Sequence, residues 1–351
     1  MSGEGSSGLR VAIVGATGAL GREIVDVLES RSFPVSDLVP FASDDSLGED
    51  VEFGDHAFPI RSEPPSFRGI DLVFVCSPQA VALEVVREAL RAEAFCIDCS
   101  GSLAGSAEVP LLVAALSPPA SVLGAPLVTS PAGPSLSWAL SLSPLVEAFG
   151  LRHVAMTVLR STARAGRSGI DVLSQETLSL LGQYEAPESD VFAMPVAFDC
   201  TPFGPRPTDN EAGSESHPAA VRDLARLLAA GGVSQGEVTA AELADRISLQ
   251  RVQVPTFVSD LSAVCLATEK RLDLDSALER LAKAPGVELV EADAGAGPSM
   301  REAAGRDVVL VGQVRADAAR ENGLQFWVAG DTVRLAAANA VDLAATRLRL
   351  H

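Results

Sequence analysis

The chain has 351 residues, of which 47% are hydrophobic, and its formal net charge at pH 7 is −19. This length is sufficient for more than one domain with a sizeable core, so an ordered fold rather than a disordered chain is expected. A strongly acidic protein repels nucleic-acid backbones and anionic membranes, which leaves small molecules and protein surfaces as the expected partners.

The sequence carries no recognisable targeting or membrane signal. It contains no apolar run of the roughly 20 residues needed to span a bilayer. Its opening stretch MSGEGSSG lacks the basic and apolar regions of a secretory signal. We therefore expect a frayed leader at Met1–Gly8 and a cytoplasmic protein without a nucleic-acid or membrane partner.

Strands and helices alternate in the first part of the chain. The apolar run Val11–Val14 predicts a buried parallel strand, and the apolar spacing in Leu20–Leu28 predicts a helix directly after it. Further strands are predicted at Asp37–Ser43, Asp71–Ser77 and Phe95–Ser100, with a helix at Val81–Ala92. This alternation is typical of a Rossmann-type, doubly wound parallel sheet in the α/β class.

After Pro131 the pattern changes to long strands mixed with helices, which predicts a second, α+β domain. The predicted strands are Leu151–Thr162, Leu249–Val258 and Val308–Val314, the predicted helices are Gly169–Leu181, Pro218–Ala230 and Arg334–Leu348, and an exposed loop is expected at Phe203–Pro218. Because the last helix is expected to return to the first domain, we predict a nucleotide-binding domain at 1–131 plus 331–351 and a dimerisation domain of substrate-binding type at 132–330.

A glycine turn joins the first strand to the first helix. Glycines at this point let the backbone approach a pyrophosphate, while the helix N-terminus offers free N–H groups to the phosphate. The alternative is that these glycines only permit tight packing of the strand on the helix. The predicted cofactor-binding residues are Gly15, Thr17, Gly18, Ala19, Leu20 and Gly21.

Two acids follow the second predicted strand. A carboxylate at this position can accept hydrogen bonds from an adenosine ribose, whereas a 2′-phosphate requires a cation. Asp44 and Asp45 therefore favour NAD over NADP as the cofactor. The alternative is a solvated acidic loop without a ligand.

The cysteines do not form a recognisable framework. The chain has 5 cysteines, and only Cys96 and Cys99 have the CxxC spacing. Redox motifs of this kind open a helix, which lowers the thiol pKa, but this pair ends a predicted strand. We interpret both residues as small buried thiols, and we predict no metal site.

Several segments together resemble the aspartate-semialdehyde dehydrogenase family. They are GATGALG, AFCIDCSGSL, the turn at Pro131, STARAGRSG, RVQVPTFVSD and ENGLQFWVAGDTVRLAAANAV. The resemblance extends from Leu9 to about Leu348. It implies a nicotinamide-dependent oxidoreductase of amino-acid biosynthesis, with a Rossmann domain, a homodimer and NAD or NADP as cofactor. It also implies a cofactor contact at Asn339, although this Asn lies one residue closer than the family pattern places it.

The resemblance implies that the catalytic residues of the family are replaced. The family turn NPNCST corresponds to Ser130–Ser135, which puts Gly133 at the position of the nucleophilic Cys. In the same way, Gln253 stands at a substrate-binding Arg and Asp260 at the acid/base His. Ala104 stands at a second anion-binding Arg.

The Arg that selects NADP in the family corresponds to Asp45. Departures of this kind resemble the Usg-type paralogs of the family, which keep the fold without the catalytic set. We therefore expect a family member that is inactive in the semialdehyde reaction and retains a nucleotide-binding fold. Two alternatives are an active semialdehyde dehydrogenase or acyl-phosphate reductase with an unrecognised site, for which Cys99 is the candidate thiol, and a non-enzymatic dimeric scaffold. Arg164 and Arg167 either hold an anionic ligand or are solvated.

Overall fold

The computed structural model describes residues 8–62, 66–202, 204–206, 217–231, 238–291 and 297–349. The leader up to Ser7 and most of the loop predicted at Phe203–Pro218 lie outside the described residues. Internal contacts divide the chain into two compact units, residues 1–132 with 336–351 and residues 133–335.

The first unit contains a parallel sheet. Its elements before residue 133 are β1 (Leu9–Val14), α1 (Ala19–Ser30), β2 (Val35–Phe41), β3 (Asp50–Phe53), β4 (His56–Pro59), β5 (Leu72–Val75), α2 (Gln79–Arg91), β6 (Phe95–Asp98), α3 (Ala120–Leu123) and β7 (Leu127–Thr129). The 5 parallel strands lie in the order β2-β1-β5-β6-β7, so the chain direction across the sheet reverses at β1. The predicted doubly wound parallel sheet is confirmed. The β3–β4 hairpin was not predicted, because its half-exposed strands have little apolar signal.

Apolar side chains fill both faces of this parallel sheet. Successive residues of β1 point to opposite faces, so Val11 and Ile13 belong to one core cluster and Ala12 and Val14 to the other. The cluster around Ile13 also includes the part of the last helix from Ala337 to Ala344. Burial on both faces explains why β1 is a continuous apolar run.

The second unit contains a mixed sheet with helices. Its elements are α4 (Gly133–Phe149), β8 (His153–Arg160), α5 (Gly166–Leu181), α6 (Ala219–Ala230), α7 (Ala240–Asp245), β9 (Ile247–Gln253), β10 (Asp260–Ala267), α8 (Leu274–Lys283), β11 (Val287–Val290), α9 (Met300–Ala303), β12 (Val309–Ala316), β13 (Gly323–Gly330) and the start of α10 (Thr332–Leu348), which continues into the first unit. The 6 strands lie in the order β11-β12-β13-β10-β8-β9.

One predicted strand of the second unit was too long. The segment Leu249–Val258 was predicted as a single strand, but β9 ends at Gln253. Pro255 has no N–H to continue the ladder. The backbone beyond it instead contacts a short 3₁₀ helix, since the carbonyls of Thr256 and Phe257 accept hydrogen bonds from the segment after β8.

The mixed sheet has a buried face and a half-exposed face. On β10, Ser262, Val264 and Leu266 are buried, whereas the alternating residues from Leu261 to Cys265 are half-exposed. On the buried side Trp138 of α4 donates a hydrogen bond from Nε1 to Ser262 Oγ at 2.9 Å. Among the described helices, none is long and apolar enough to cross a membrane.

Candidate functional site

The glycine turn lies where the order of the parallel sheet reverses. Gly15 has a φ of +91°, and an ideal Cβ there would lie 2.7 Å from the carbonyl oxygen of Cys76, at the end of β5. The backbone N–H groups of Gly15 and Ala16 donate to the carbonyl of Phe41, at the end of β2, at 2.8 and 3.0 Å. Only glycine fits at position 15, and the turn is held to the ends of both neighbouring strands.

The start of α1 packs directly on this turn. An ideal Cβ at Gly21 would lie 2.2 Å from the carbonyl oxygen of Gly15. Gly18 is the N-cap of α1, and it has no side chain with which to cap the first turn of the helix. Tight packing and an uncapped helix N-terminus therefore occur together, so the two interpretations of the glycines do not exclude each other.

The other predicted residues of the turn are half-buried. Ala19 and Leu20 form the first turn of α1. Thr17 Oγ1 lies 3.2 Å from Ser46 Oγ, and the Thr17 carbonyl accepts a hydrogen bond from Arg22 Nε at 2.9 Å. These contacts connect the glycine turn with the segment that follows β2.

The acidic pair lies on that same segment. Asp44 and Asp45 are exposed residues of a short 3₁₀ helix, Asp44–Ser46, just beyond the carboxyl end of β2. The contact between Ser46 and Thr17 places this helix beside the glycine turn. The position is the one in which an acid meets the ribose of a bound dinucleotide.

The Asn339 side chain forms hydrogen bonds within the first unit. Its Oδ1 accepts a hydrogen bond from the Ala114 N–H at 2.8 Å, and its Nδ2 donates to the Leu112 carbonyl at 3.1 Å and to Ser130 Oγ at 2.9 Å. A nicotinamide contact through this amide would therefore have to share one of these bonds. Ala104, which is predicted to stand at the position of an anion-binding Arg, is buried.

The turn before α4 has no space for a side chain at its central position. An ideal Cβ at Gly133 would lie 2.0 Å from the carbonyl oxygen of Thr332 and 2.5 Å from its carbonyl carbon. Nearby serines are buried and hydrogen-bonded, with Ser135 Oγ donating to the Ala220 carbonyl at 3.3 Å and Ser137 Oγ to the Gly133 carbonyl at 3.1 Å.

Gln253 and Asp260 lie at one end of the mixed sheet, on either side of the end of β8. Gln253 Nε2 donates to the Arg160 carbonyl at 2.8 Å. Asp260 Oδ1 accepts hydrogen bonds from the N–H and the hydroxyl of Ser161 at 3.0 and 3.2 Å. Both side chains are buried, so the register of β8, β9 and β10 brings the two predicted positions together.

This end of the sheet carries unsatisfied acceptors. Gln253 Oε1 and Asp260 Oδ2 have no hydrogen-bond partner among the described residues. Burial raises the pKa of Asp260, and the nearby Arg164 guanidinium opposes that shift. Arg164 itself is exposed. Arg167 forms an exposed ion pair, in which its Nε lies 3.8 Å from Asp171 Oδ2. This end of the sheet therefore holds a buried carboxyl, at the position for which the resemblance predicts replacement of a His.

Cys99 is a half-buried thiol at the end of β6. The hydrogen bond with Cys76 and burial raise its pKa well above the ordinary value. Because the thiolate is the nucleophile, this environment makes Cys99 a weak one. Its pairing with Cys76 was not predicted, although both residues follow apolar strand runs and could have been placed at the same sheet edge.

Together these features define the class of protein. A parallel sheet with a glycine turn at its switch point is a Rossmann-type dinucleotide-binding fold, here combined with a mixed-sheet domain. The family model "Semialdehyde dehydrogenase, NAD binding domain" matches residues 10–122, and "Semialdehyde dehydrogenase, dimerisation domain" matches residues 142–335.

Comparison with known proteins identifies the family within this class. The chain is 30% identical to the aspartate-semialdehyde dehydrogenase of Synechocystis sp., over 96% of this chain and 97% of the relative. It is 33% identical to a USG-1 protein homolog of Azotobacter vinelandii, over 97% of each chain. The crystal structure of aspartate semialdehyde dehydrogenase II from Vibrio cholerae superposes with a TM-score of 0.86 at 26% identity, covering 98% of this chain and 100% of that one. The chain belongs to the aspartate-semialdehyde dehydrogenase family.

Proposed function

We propose that this protein is a cytoplasmic, homodimeric family member that binds a nicotinamide dinucleotide but does not catalyse the semialdehyde reaction through a cysteine. The observation that carries the proposal is Gly133. The resemblance puts the nucleophile at this position, and glycine offers no atom that could attack a carbonyl. The carbonyl of Thr332 occupies the space that the first side-chain atom would need.

The substrate-binding positions support the same proposal. Gln253 is neutral where the resemblance implies an Arg, so it provides no charge for a carboxylate or a phosphate. Asp260 replaces a His, and its ionised form would repel an anionic substrate. The loss of the nucleophile, of the base or of the cation would each lower the catalytic rate by orders of magnitude, and here all three are proposed to be lost.

The glycine turn fits a dinucleotide. A Cβ would obstruct the backbone at Gly15 and Gly21, and Gly18 leaves the helix N-terminus open to a phosphate. A bound nicotinamide dinucleotide supplies hydride transfer. Asp44 and Asp45 would accept hydrogen bonds from an adenosine ribose and repel a 2′-phosphate, so we infer a preference for NAD.

The mixed sheet provides the proposed dimer surface. Its half-exposed face includes Ala263 and Cys265 on β10 and Trp327 on β13, and the family model over this unit describes a dimerisation domain. A buried Arg would oppose association, so Ala263→Arg should convert a dimer to a monomer in sedimentation analysis. Val81→Arg, which changes an exposed apolar residue of α2, is the control and should remain dimeric.

Calorimetric titration with NAD and NADP tests the nucleotide site. The unmodified protein should bind NAD more tightly than NADP, and Gly21→Ala should abolish binding because the new Cβ displaces the Gly15 carbonyl. Asp45→Arg should shift the preference toward NADP by about tenfold. If neither nucleotide binds to the unmodified protein, the nucleotide part of the proposal is wrong and the scaffold alternative replaces it.

A steady-state assay of phosphate-dependent aspartate-semialdehyde oxidation tests the catalytic part. The Vibrio cholerae enzyme is the positive control under the same conditions. We expect turnover from the control and none from this protein with either nucleotide. Protein-dependent formation of reduced nicotinamide would contradict the proposal and would require another nucleophile.

A further inference from the structure

Two thiols meet at the carboxyl edge of the parallel sheet. Cys76 directly follows β5 and Cys99 directly follows β6, and the register of these strands pairs the preceding residues, Val75 and Asp98. The Cys99 N–H donates to the Val75 carbonyl at 2.9 Å, so the parallel ladder continues to this position. The Cys99 thiol lies 3.8 Å from the Ile97 carbonyl oxygen, and interaction with Cys76 is the largest cause of the raised pKa of Cys99.

The CxxC spacing does not describe this pair. Residues three apart on a strand point to opposite faces, so Cys96 lies in the core cluster on one side of the sheet. Cys76 and Cys99 both pack against the cluster on the other side. Both are half-buried, whereas Cys96 is fully buried. The sheet therefore separates the two members of the sequence motif and brings together two cysteines that are distant in sequence.

The backbone spacing is suitable for a covalent bond. Neighbouring strands of a sheet lie about 4.8 Å apart. Disulfides join residues whose Cα atoms are about 4.4–6.8 Å apart. Residues at facing positions of β5 and β6 fall in this range. Side chains at facing positions of two paired strands lie on the same face of the sheet, where both cysteines pack against one apolar cluster.

We infer that Cys76 and Cys99 form a redox-sensitive dithiol that a low-molecular-weight disulfide converts to an intramolecular disulfide beside the glycine turn. One protein thiolate attacks the small disulfide, forming a mixed disulfide and releasing one small thiol. The second protein thiolate then attacks the protein sulfur of the mixed disulfide and releases the other small thiol. Two protein thiols are oxidised, one disulfide is reduced to two thiols, and the protons of the protein thiols pass to the released thiolates.

The surroundings determine the rate of this exchange. Interaction with Cys76 and burial raise the pKa of Cys99, so little of this thiol is ionised and its exchange with a small disulfide is slow. Because the thiolate is the attacking species, the rate of attack by Cys99 should rise by about tenfold per pH unit while the Cys99 thiol remains mostly protonated.

The position of the pair connects it to the nucleotide site, and this consequence rests on the proposed function. The Cys76 carbonyl is the group that an ideal Cβ at Gly15 would approach at 2.7 Å. A bond between Cys76 and Cys99 would shift the ends of β5 and β6, and with them the Cys76 backbone beside which Gly15 lies. We therefore expect the oxidised protein to bind NAD more weakly than the reduced protein, and a thiol reductant to restore the affinity.

Peptide mapping of the oxidised protein tests the inference. The native protein is treated with bis(2-hydroxyethyl) disulfide, which is small and uncharged, then quenched in acid, alkylated under denaturing conditions and digested. The expected product links the peptides of Cys76 and Cys99 and leaves Cys96 alkylated. A native product that links Cys96 to Cys99, or a mixed disulfide that never closes, would overturn the inference.

Two variants and an unfolded sample show whether the disulfide forms because the fold brings the cysteines together or because these thiols are reactive in any conformation. Cys96→Ala should form the same link as the unmodified protein, whereas Cys76→Ala should form none at Cys99. In protein unfolded by urea before oxidation, the short loop between Cys96 and Cys99 should favour that pair instead. The map of the unmodified protein decides the question even if a variant fails to fold.

Calorimetry with NAD on reduced and oxidised samples then tests the link to the nucleotide site. Equal affinities of the two samples would refute the coupling. If the reduced protein does not bind NAD, the proposed nucleotide function fails while the result of the disulfide map stands on its own.

Discussion

Substitution of Gly133 is the most informative perturbation of the proposed catalytic loss. An ideal Cβ at this position lies 2.0 Å from the Thr332 carbonyl oxygen, and the backbone atoms around it cannot rotate away as a side chain could. Inserting a carbon into a packed site typically costs about 1–3 kcal/mol. Because the obstructing atoms here are backbone atoms, we expect Gly133→Ala to destabilise the second unit by about 3 kcal/mol.

Urea unfolding followed by tryptophan fluorescence measures this loss in the correct part of the chain. The sequence has 2 tryptophans, Trp138 and Trp327, and both lie in the second unit. With a urea slope of about 2 kcal/mol per molar, the unfolding midpoint should fall by about 1.5 M.

Gly204→Ala is the matched control in the same unit. The nearest atom to its new Cβ is a guanidinium nitrogen of Arg160 at 3.3 Å, the end of a flexible side chain. This variant should lose less than about 1 kcal/mol. A Gly133→Ala variant as stable as the unmodified protein would refute the reasoning, because the position would then have room for a nucleophile. The same reasoning predicts that Gly133→Cys does not restore turnover.

Three further predictions concern buried polar groups of the second unit. Burial raises the pKa of Asp223 from 3.8 to about 6, so the folded state holds this proton more tightly than the unfolded chain, and the contribution of Asp223 to stability falls as pH rises between these values. In urea unfolding, Asp223→Asn should remove this pH dependence and stabilise the protein by about 3 kcal/mol at a pH above the folded pKa of Asp223. If the free energy of unfolding changes equally with pH in both proteins, Asp223 is not the group responsible. Asp260→Ala leaves the N–H of Ser161 without its acceptor and should lose about 3 kcal/mol by the same assay, whereas Asp260→Asn, which keeps an acceptor oxygen, should lose clearly less; equal losses would argue against the hydrogen bond. Trp138→Phe removes the hydrogen bond to Ser262 and should lose about 1 kcal/mol of stability by calorimetry, beyond any effect of the smaller ring; an unchanged stability would show that this bond contributes nothing.

Much of the first unit could be predicted from the sequence, because burial on both faces makes each parallel strand a distinct apolar run. The glycine turn was predictable for the same local reason, since it directly joins β1 to α1. The β3–β4 hairpin could not be predicted in this way, because its exposed strands lack an apolar pattern.

The features that decide the chemistry depend on contacts between distant parts of the chain. Nothing near Gly133 in sequence indicates that the Thr332 carbonyl fills its side-chain space. The pairing of Cys76 with Cys99 requires the strand order, which local patterns do not give. Strand alternation alone could have indicated that Cys96 and Cys99 point to opposite faces.

A single-turnover experiment tests the proposed loss of cysteine-based catalysis most directly. The protein, at a concentration equal to that of aspartate semialdehyde, is mixed with phosphate and NAD or NADP, and the reduced nicotinamide formed per protein molecule is measured. Because Gly133 provides no nucleophile, we expect no reduced nicotinamide above the protein-free control with either nucleotide. Formation of one equivalent per protein molecule would contradict the central proposal.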